Sequence, residues 1–339
     1  MNIILRSLTF ILITIGLFGC SGYKKAVRLE QQRQTSKTAL PQQKTAKTST
    51  NPSPKTFKQK SVPLMAADTS NANSLLWEIS GKDLTTSSYL YGTIHVIPKK
   101  DFILTDLLKN RFAQTQQLAL EVDMDNMLSM ISALPEMFMD DDMTLEDLLT
   151  EEEYNRVDAH FANKGMGGLS MFNRMKPILV SSMMMEQGPT SEDMTSYEME
   201  LMDMAKDRQM AVHGLETAAF QMGVLDSIPY KAQAKMLVQS LDEQADGGAM
   251  YDEMVELYKN QDLKGLQAAV AAESEGVENF DHALLYIRNH NWIPVIAEMA
   301  KEKPTFFAVG AAHLPGEEGV IRLLQKAGYR VVPLREVSE

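Results

Sequence analysis

Strand and helix signals along this 339-residue chain predict an α/β (α+β) fold. A central mixed sheet is built from the N- and C-terminal segments of the folded region, with a large helical middle section between them. The stretch Phe306 to Leu334 carries the clearest signal: an apolar run breaks at Gly310, Leu314 and Pro315 turn the chain, and Glu317 and Glu318 suit the positive end of a new helix. Ile321, Leu323, Leu324 and Ala327 give that helix one apolar face, Gly328 ends it, and Tyr329 to Leu334 read as another strand. The opening of the same device recurs far upstream, where Ser88 to Ile94 (SYLYGTI) is an apolar strand broken by Gly92. Between the two, residues 124 to 275 are rich in Met, Leu, Ala and Glu at helical spacing.

In chain order, residues 1–20 read as an export signal. Arg6 supplies the positive start, Leu8 to Leu17 is too short to span a bilayer, and Leu17-Phe18-Gly19-Cys20 resembles a bacterial lipobox. Cys20 is the only cysteine, so the expectation is an exported chain without a disulfide, acylated at Cys20 and held to a membrane by lipid. Ser21 after the cysteine resembles lipoproteins sorted to an outer membrane, with the folded part facing periplasm or exterior. Residues 21–70 are Lys, Gln, Thr, Ser and Pro with few large apolar side chains, too little to offset ordering entropy, and read as a disordered basic stalk. Its ten Lys or Arg stand against Glu30 and Asp68, a balance of +8; with Arg6 and the overall −12, about −21 falls on the rest. So acidic a domain argues against nucleic acid as a partner.

Residues 71–339 are left for the folded domain. Leu75 to Ile79, followed by Gly81-Lys82, read as a strand and turn that pair as a hairpin with the Ser88 strand. Pro98 closes a turn, Leu104 to Ala113 has helical spacing, and Gln117 to Val122 (QLALEV) reads as a third strand. Helices are expected over Thr144 to Phe161, Met171 to Met185, Tyr197 to Gln209, Tyr230 to Ser240, Met250 to Lys259 and Leu263 to Ala272, with Thr144-x-x-Asp147 and Thr190-x-x-Asp193 as helix starts. The methionines of this section read as ordinary helix core rather than as an adaptable groove. Ala211 to Thr217 can be a fourth strand ending at Glu216, and Asp281 to Met299 reads as one helical run interrupted by Pro294.

The chemistry lies at the strand ends. His95 and His313 each stand three residues after a strand-breaking glycine, and ligands bind at the carboxyl edge of open α/β sheets. Glu121 sits in an otherwise apolar strand, where an ionised carboxylate needs a compensating partner. His95, His313 and Glu121 together resemble three-ligand catalytic metal sites that leave one position for water, and Zn, Mn, Fe or Co all suit two nitrogens and hard oxygens. Glu216 can be a fourth ligand or a general base, and Arg288 can hold a substrate carboxylate or stabilise an oxyanion. The residues alone leave open whether the two histidines bind a metal or only hydrogen-bond at a sheet edge. His160, His213, His282 and His290 have no strand-end context and read as surface or packing residues.

Gly92-Thr93-Ile94-His95, Leu120-Glu121-Val122-Asp123, Gly214-Leu215-Glu216-Thr217, Arg288-Asn289-x-x-Trp292 and Val309-Gly310-Ala311-Ala312-His313-Leu314-Pro315-Gly316, in this order, resemble the TraB/GumN family, from about Leu75 to Pro333. That family is related to the animal Tiki proteins and has a distant likeness to erythromycin-esterase and ChaN-like proteins. The resemblance implies a metal-dependent peptidase with His95, His313 and Glu121 in the site, acting on a peptide or small-molecule substrate. The ChaN likeness implies an alternative, a lipoprotein that captures haem or another small molecule without turnover. One departure stands out: Ser196-Tyr197-Glu198 replaces the family's usual Gly-Leu/Ile-Asp helix start, which bears on the groove beside the site more than on the site.

Overall fold

The computed structural model describes residues 72–163, 165–186, 194–245, 249–273 and 282–335. The expected signal segment with Cys20, the stalk and the Thr190-x-x-Asp193 helix start lie outside the described residues. Among the described residues no helix is long and apolar enough to cross a membrane.

Strand β1 (Leu76–Ser80) turns through Gly81 and Lys82, both at positive φ, into β2 (Ser88–Thr93), and the two pair antiparallel as the hairpin pattern predicts. The two-residue β3 (Ile97–Pro98) follows. Then come α1 (Asp106–Ala113), β4 (Gln117–Val122) and α2 (Met127–Ser132). The middle section holds α3 (Leu145–Leu148), α4 (Glu151–Asn163), α5 (Pro177–Glu186), β5 (Met194–Thr195), α6 (Tyr197–Asp207), β6 (Ala211–Glu216) and α7 (Ala218–Val224). It continues through α8 (Tyr230–Ala245), α9 (Ala249–Lys259) and α10 (Leu263–Glu273). A π-helical turn (His282–Tyr286), α11 (Ile287–Glu302), β7 (Thr305–Gly310), α12 (Val320–Lys326) and β8 (Arg330–Leu334) complete the chain.

Six strands form one mixed sheet in the order β6-β4-β7-β2-β1-β8. The β6-β4, β4-β7 and β7-β2 pairs are parallel, whereas β1 runs antiparallel to β2 and β8. Every residue of β2, β4 and β7 is buried, so these near-continuous apolar strands are covered on both faces, as parallel strands require. The fold is α/β as the strand and helix patterns predict. The middle section lends β6 to the edge of the central sheet, in line with the reading of Ala211 to Thr217 as a fourth strand.

Four local readings change for identifiable reasons. The run from Thr144 splits into α3 and α4 because Thr150 begins a second helix: its backbone N–H donates to Glu153 at 2.8 Å, as that of Thr144 does to Asp147 at 2.9 Å. The helix expected from Met171 starts at Pro177, whose fixed φ and missing N–H suit a first helical turn, after a 3-10 turn at Leu169–Phe172. Pro294 does not interrupt α11: the carbonyl it leaves unpaired belongs to His290, and both residues are on the exposed side of the helix. Pro98 closes no turn but lies in β3, paired antiparallel with β5. The methionines meet the core expectation where Met139 joins Leu145, Val157, Phe161, Val180 and Leu237 in a separate apolar cluster among α3, α4, α5 and α8.

Candidate active site

Because β6, β4, β7 and β2 run parallel, their carboxyl ends share one edge, and each delivers a polar side chain there. His95 follows β2, Glu121 is the fifth residue of β4, Glu216 ends β6, and His313 closes a 3-10 turn (Ala311–His313) directly after β7. Arg288 comes from the first turn of α11. The structure therefore brings His95, Glu121, Glu216, Arg288 and His313 into one buried cluster. The two glycines allow close approach rather than unusual turns. A Cβ on Gly92 would meet Leu314 Cδ1 at 2.7 Å and Ala311 Cα at 3.1 Å. One on Gly310 would lie 3.3 Å from Glu121 Oε1, 3.4 Å from His95 Nε2 and 3.6 Å from His313 Cδ2.

Arg288 is the hub. Its Nε and Nη2 donate to Glu216 Oε1 at 2.9 and 2.6 Å, Nη2 also to Glu121 Oε2 at 2.6 Å, and Nη1 to the Leu284 carbonyl at 3.1 Å, with His313 Nε2 3.3 Å from Nη1. These contacts occupy the five donors a guanidinium has, so Arg288 holds the two carboxylates and presents no free fork to a substrate. Trp292 Nε1 donates to Glu216 Oε2 at 2.9 Å, and Gln221 Nε2 donates to Glu121 and Glu216, each at 3.2 Å. The backbone N–H of Gly310 donates to Glu121 Oε1 at 2.8 Å.

The hydrogen bonds also set the histidine tautomers. Asn289 Nδ2 donates to the carbonyls of Glu318 (2.7 Å) and His313 (3.4 Å), which makes its Oδ1 an acceptor. His313 Nδ1, 2.6 Å from that Oδ1, therefore carries the proton, and the Nε2 lone pair faces Arg288 and Glu121. His95 Nδ1 lies 2.6 Å from Glu198 Oε1, although its N–H is not aligned for a straight hydrogen bond, and its Nε2 faces Glu121 Oε1 at 3.9 Å. His313 Nε2 stands 3.7 Å from the same oxygen.

Among the described residues no group of three or more His, Cys, Asp or Glu is drawn together as a metal site. Ligands about 2.0–2.2 Å from a common tetrahedral ion stand roughly 3.4 Å apart, so the contacts to Glu121 are a few tenths of an ångström wide. The donor types are those of a metal site, two imidazole nitrogens and a carboxylate oxygen with a partner near each far ring nitrogen, but His313 Nε2 already accepts from Arg288 Nη1 at 3.3 Å, a contact that must open before an ion is held.

The TraB/PrgY/gumN family matches residues 75–333. This chain belongs to that family. Among curated proteins, the TraB/PrgY/gumN chain is similar to a "Metalloprotease TIKI homolog" of Amphimedon queenslandica, 23% identical over 316 residues, covering 76% of this chain and 61% of that one. It is also similar to "Metalloprotease TIKI1" of Danio rerio, 25% identical over 319 residues, covering 77% and 63%. The chain thus spans less than two thirds of the length of these relatives. No solved structure matches it.

In this TraB/PrgY/gumN protein the departure at Ser196-Tyr197-Glu198 falls inside the site, not only beside it. Ser196 caps α6, and Glu198, buried in the first turn, contacts His95 and accepts from Thr93 Oγ1 at 2.5 Å and Ser196 Oγ at 2.7 Å. Sequence reasoning missed Glu198, whose one signal was its place in the family pattern, and missed Gln221, which has none. Three buried carboxylates now face one guanidinium and one protonatable imidazole. Burial alone would raise the Glu121 and Glu198 pKa values, but Arg288 and the histidines hold Glu121, and His95 holds Glu198, below the carboxylate range. Burial wins at Glu216, raising its pKa despite Arg288. At His95 burial is outweighed by Glu198 and the pKa rises; at His313 burial prevails, with Arg288 adding to it, and the pKa falls to about 3. Negative charge in excess of the fixed cations is what a bound cation would offset.

These shifts set the acid response. Below 6.5 the unfolded chain protonates His313 while the folded site stays neutral to about 3, so stability falls with pH across that window. Glu121 and Glu198 add to the loss once pH drops below their ordinary 4.5. His95 acts oppositely, its contribution being present below 6.5 and lost as pH rises through its raised value. Urea titrations in the presence of a chelator should show about 1–3 kcal/mol less stability at pH 4.5 than at pH 6.5, a slope that His313→Gln flattens.

Proposed function

We propose that this chain is a metal-dependent hydrolase of peptide bonds, with His95, His313 and Glu121 as the residues that would hold a divalent ion (Mn, Co, Zn or Fe). The observation that carries the reading is the convergence of both Nε2 lone pairs and Glu121 Oε1 beside Gly310, with the far nitrogens oriented by Glu198 and Asn289. The two relatives named metalloproteases support the reaction class. When bound, such an ion lowers the pKa of a coordinated water from 15.7 toward about 7 and polarises a carbonyl.

The chain's own residues supply the rest. Glu216 is the candidate general base: Arg288 and Gln221 hold its Oε1 and Trp292 its Oε2, which keeps one lone pair to accept the proton of the attacking water and pass it to the departing amine. Arg288 keeps both carboxylates in place. In this reading Cys20 carries the lipid and sets the domain at the surface of a bacterial membrane, within the envelope.

Purified full-length protein should retain about one first-row metal ion per chain, measured by plasma mass spectrometry, and His95→Ala and His313→Ala should each lose it together with cleavage of a peptide library. Glu216→Gln should lower kcat by about 10²–10⁴ while keeping the metal, as removal of a general base does. Gly310→Ala tests the cradle with little change elsewhere. Its methyl enters within 3.3–3.6 Å of the three donor side chains, and metal retention should fall while unfolding free energy changes by no more than about 1–3 kcal/mol. Metal retained in both His→Ala variants would end the proposal. For the anchor, Cys20→Ser should move the protein from the membrane fraction to the soluble one.

A further inference from the structure

Beside the cluster lies apolar surface that packing does not explain. Leu128 is 80% exposed, and Ile131, Leu134, Phe138 and Phe220 are exposed as well. They lie on α2, on the two residues flanking the following turn (Pro135–Met137) and on α7, elements that pack together. In α2 only Met130 is buried, so its sequence MLSMIS places large apolar side chains on the outside of a short helix. Water contact there is unfavourable in the isolated domain, and such patches mark binding surfaces. Its position gives it meaning: α2 follows the end of β4, which carries Glu121, and α7 follows the end of β6, which carries Glu216.

We infer that this surface docks the substrate as an extended polypeptide segment with apolar side chains and basic flanks. The inference rests on the hydrolase reading and names the substrate class for that site. Charge complementarity selects the occupant. Asp125, Asp140 and Asp141 are exposed on segments next to the patch, while Asp142 is paired with Arg174 at 2.7 Å, and the folded part of the chain is strongly acidic; this favours cationic residues and repels anionic lipid. A ligand that offers apolar and cationic side chains together is a polypeptide rather than an acyl chain.

The test uses full-length protein in chelator, so that binding is read without turnover. The probe is a fluorescein-labelled 14-residue peptide of Leu, Lys and Ser, followed by anisotropy. The combined change Leu128→Ser, Ile131→Ser, Phe138→Ser should weaken binding at least tenfold, and replacing the probe's Lys by Glu should do the same. Leu128→Lys, at so exposed a position, serves if the triple variant misfolds and should weaken the Lys probe at least threefold. Unchanged affinity in these variants overturns the proposal. So does capture of phosphatidylglycerol vesicles with no peptide binding, or a dimer in sedimentation that the variants dissolve. With metal supplied, a peptide that binds here but is never cut overturns the hydrolase reading and leaves the docking surface. A peptide cut at the same rate by the triple variant overturns docking and leaves the hydrolase.

Discussion

Arg288→Ala should lower the free energy of unfolding by about 3–5 kcal/mol, the cost of removing one partner from a buried ion pair. The guanidinium is the counter-charge for two carboxylates that are almost wholly buried, at 2.6 Å from each. Without it, Glu121 and Glu216 face each other across a cavity, and one must take up a proton for the fold to survive. Arg288→Lys should recover only part of the loss, because an ammonium has three donors where this site uses five. Pairing Arg288→Met with Glu216→Gln should cost less than the two single changes added together, since it removes a charge along with its partner. Urea unfolding followed by circular dichroism reads the parent, the single variants and the double variant alike. A loss under about 1 kcal/mol for Arg288→Ala would mean that water reaches the cluster and screens its charges.

Glu198→Gln should weaken metal binding about 10–100-fold with the fold intact, the range for a group that orients a ligating imidazole. A neutral amide keeps the size of the side chain and can still accept from Thr93 at its oxygen while its nitrogen donates to Ser196 Oγ, reversing that bond, but it no longer holds the proton on His95 Nδ1 by charge. Nitrogen-15 spectra of the imidazoles give a second readout: His95 should move toward a mixture of tautomers, while His313, held by Asn289, stays with its proton on Nδ1. Equal metal affinity in the two proteins, by competition with a chelator of known strength, would remove Glu198 from the site's working parts.

Much of the sheet could be read from local pattern. QLALEV and AVHGLE are strands as expected, and Thr144-x-x-Asp147 closes a helix start. The order of the strands was not legible, because nothing local says that β4 lies between β6 and β7; that depends on which apolar faces meet. The same limit governed the site. His95, His313 and Glu121 were visible because a histidine at a strand end and an acid in an apolar run are locally out of place. Glu198 was not, since an acid in the first turn of a capped helix is ordinary. Asn289 stood in the Arg288-Asn289-x-x-Trp292 motif without a role to read from it, and Gln221 is a neutral amide with no mark of its own. Arg288 was singled out, but its saturation by Glu121, Glu216, Leu284 and His313 depends on four separate segments.

The two imidazoles are 218 positions apart, one near the beginning of the sheet and the other just before its last helix and strand. A reaction centre closed by contacts of such long sequence separation forms late, after most of the loop-closure entropy has been spent. A fragment ending just before β7 keeps His95, Glu121, Glu216 and Arg288 but lacks His313. If the cluster works as proposed, a single cut that frees the C-terminal strand and turn would silence it without touching Glu121.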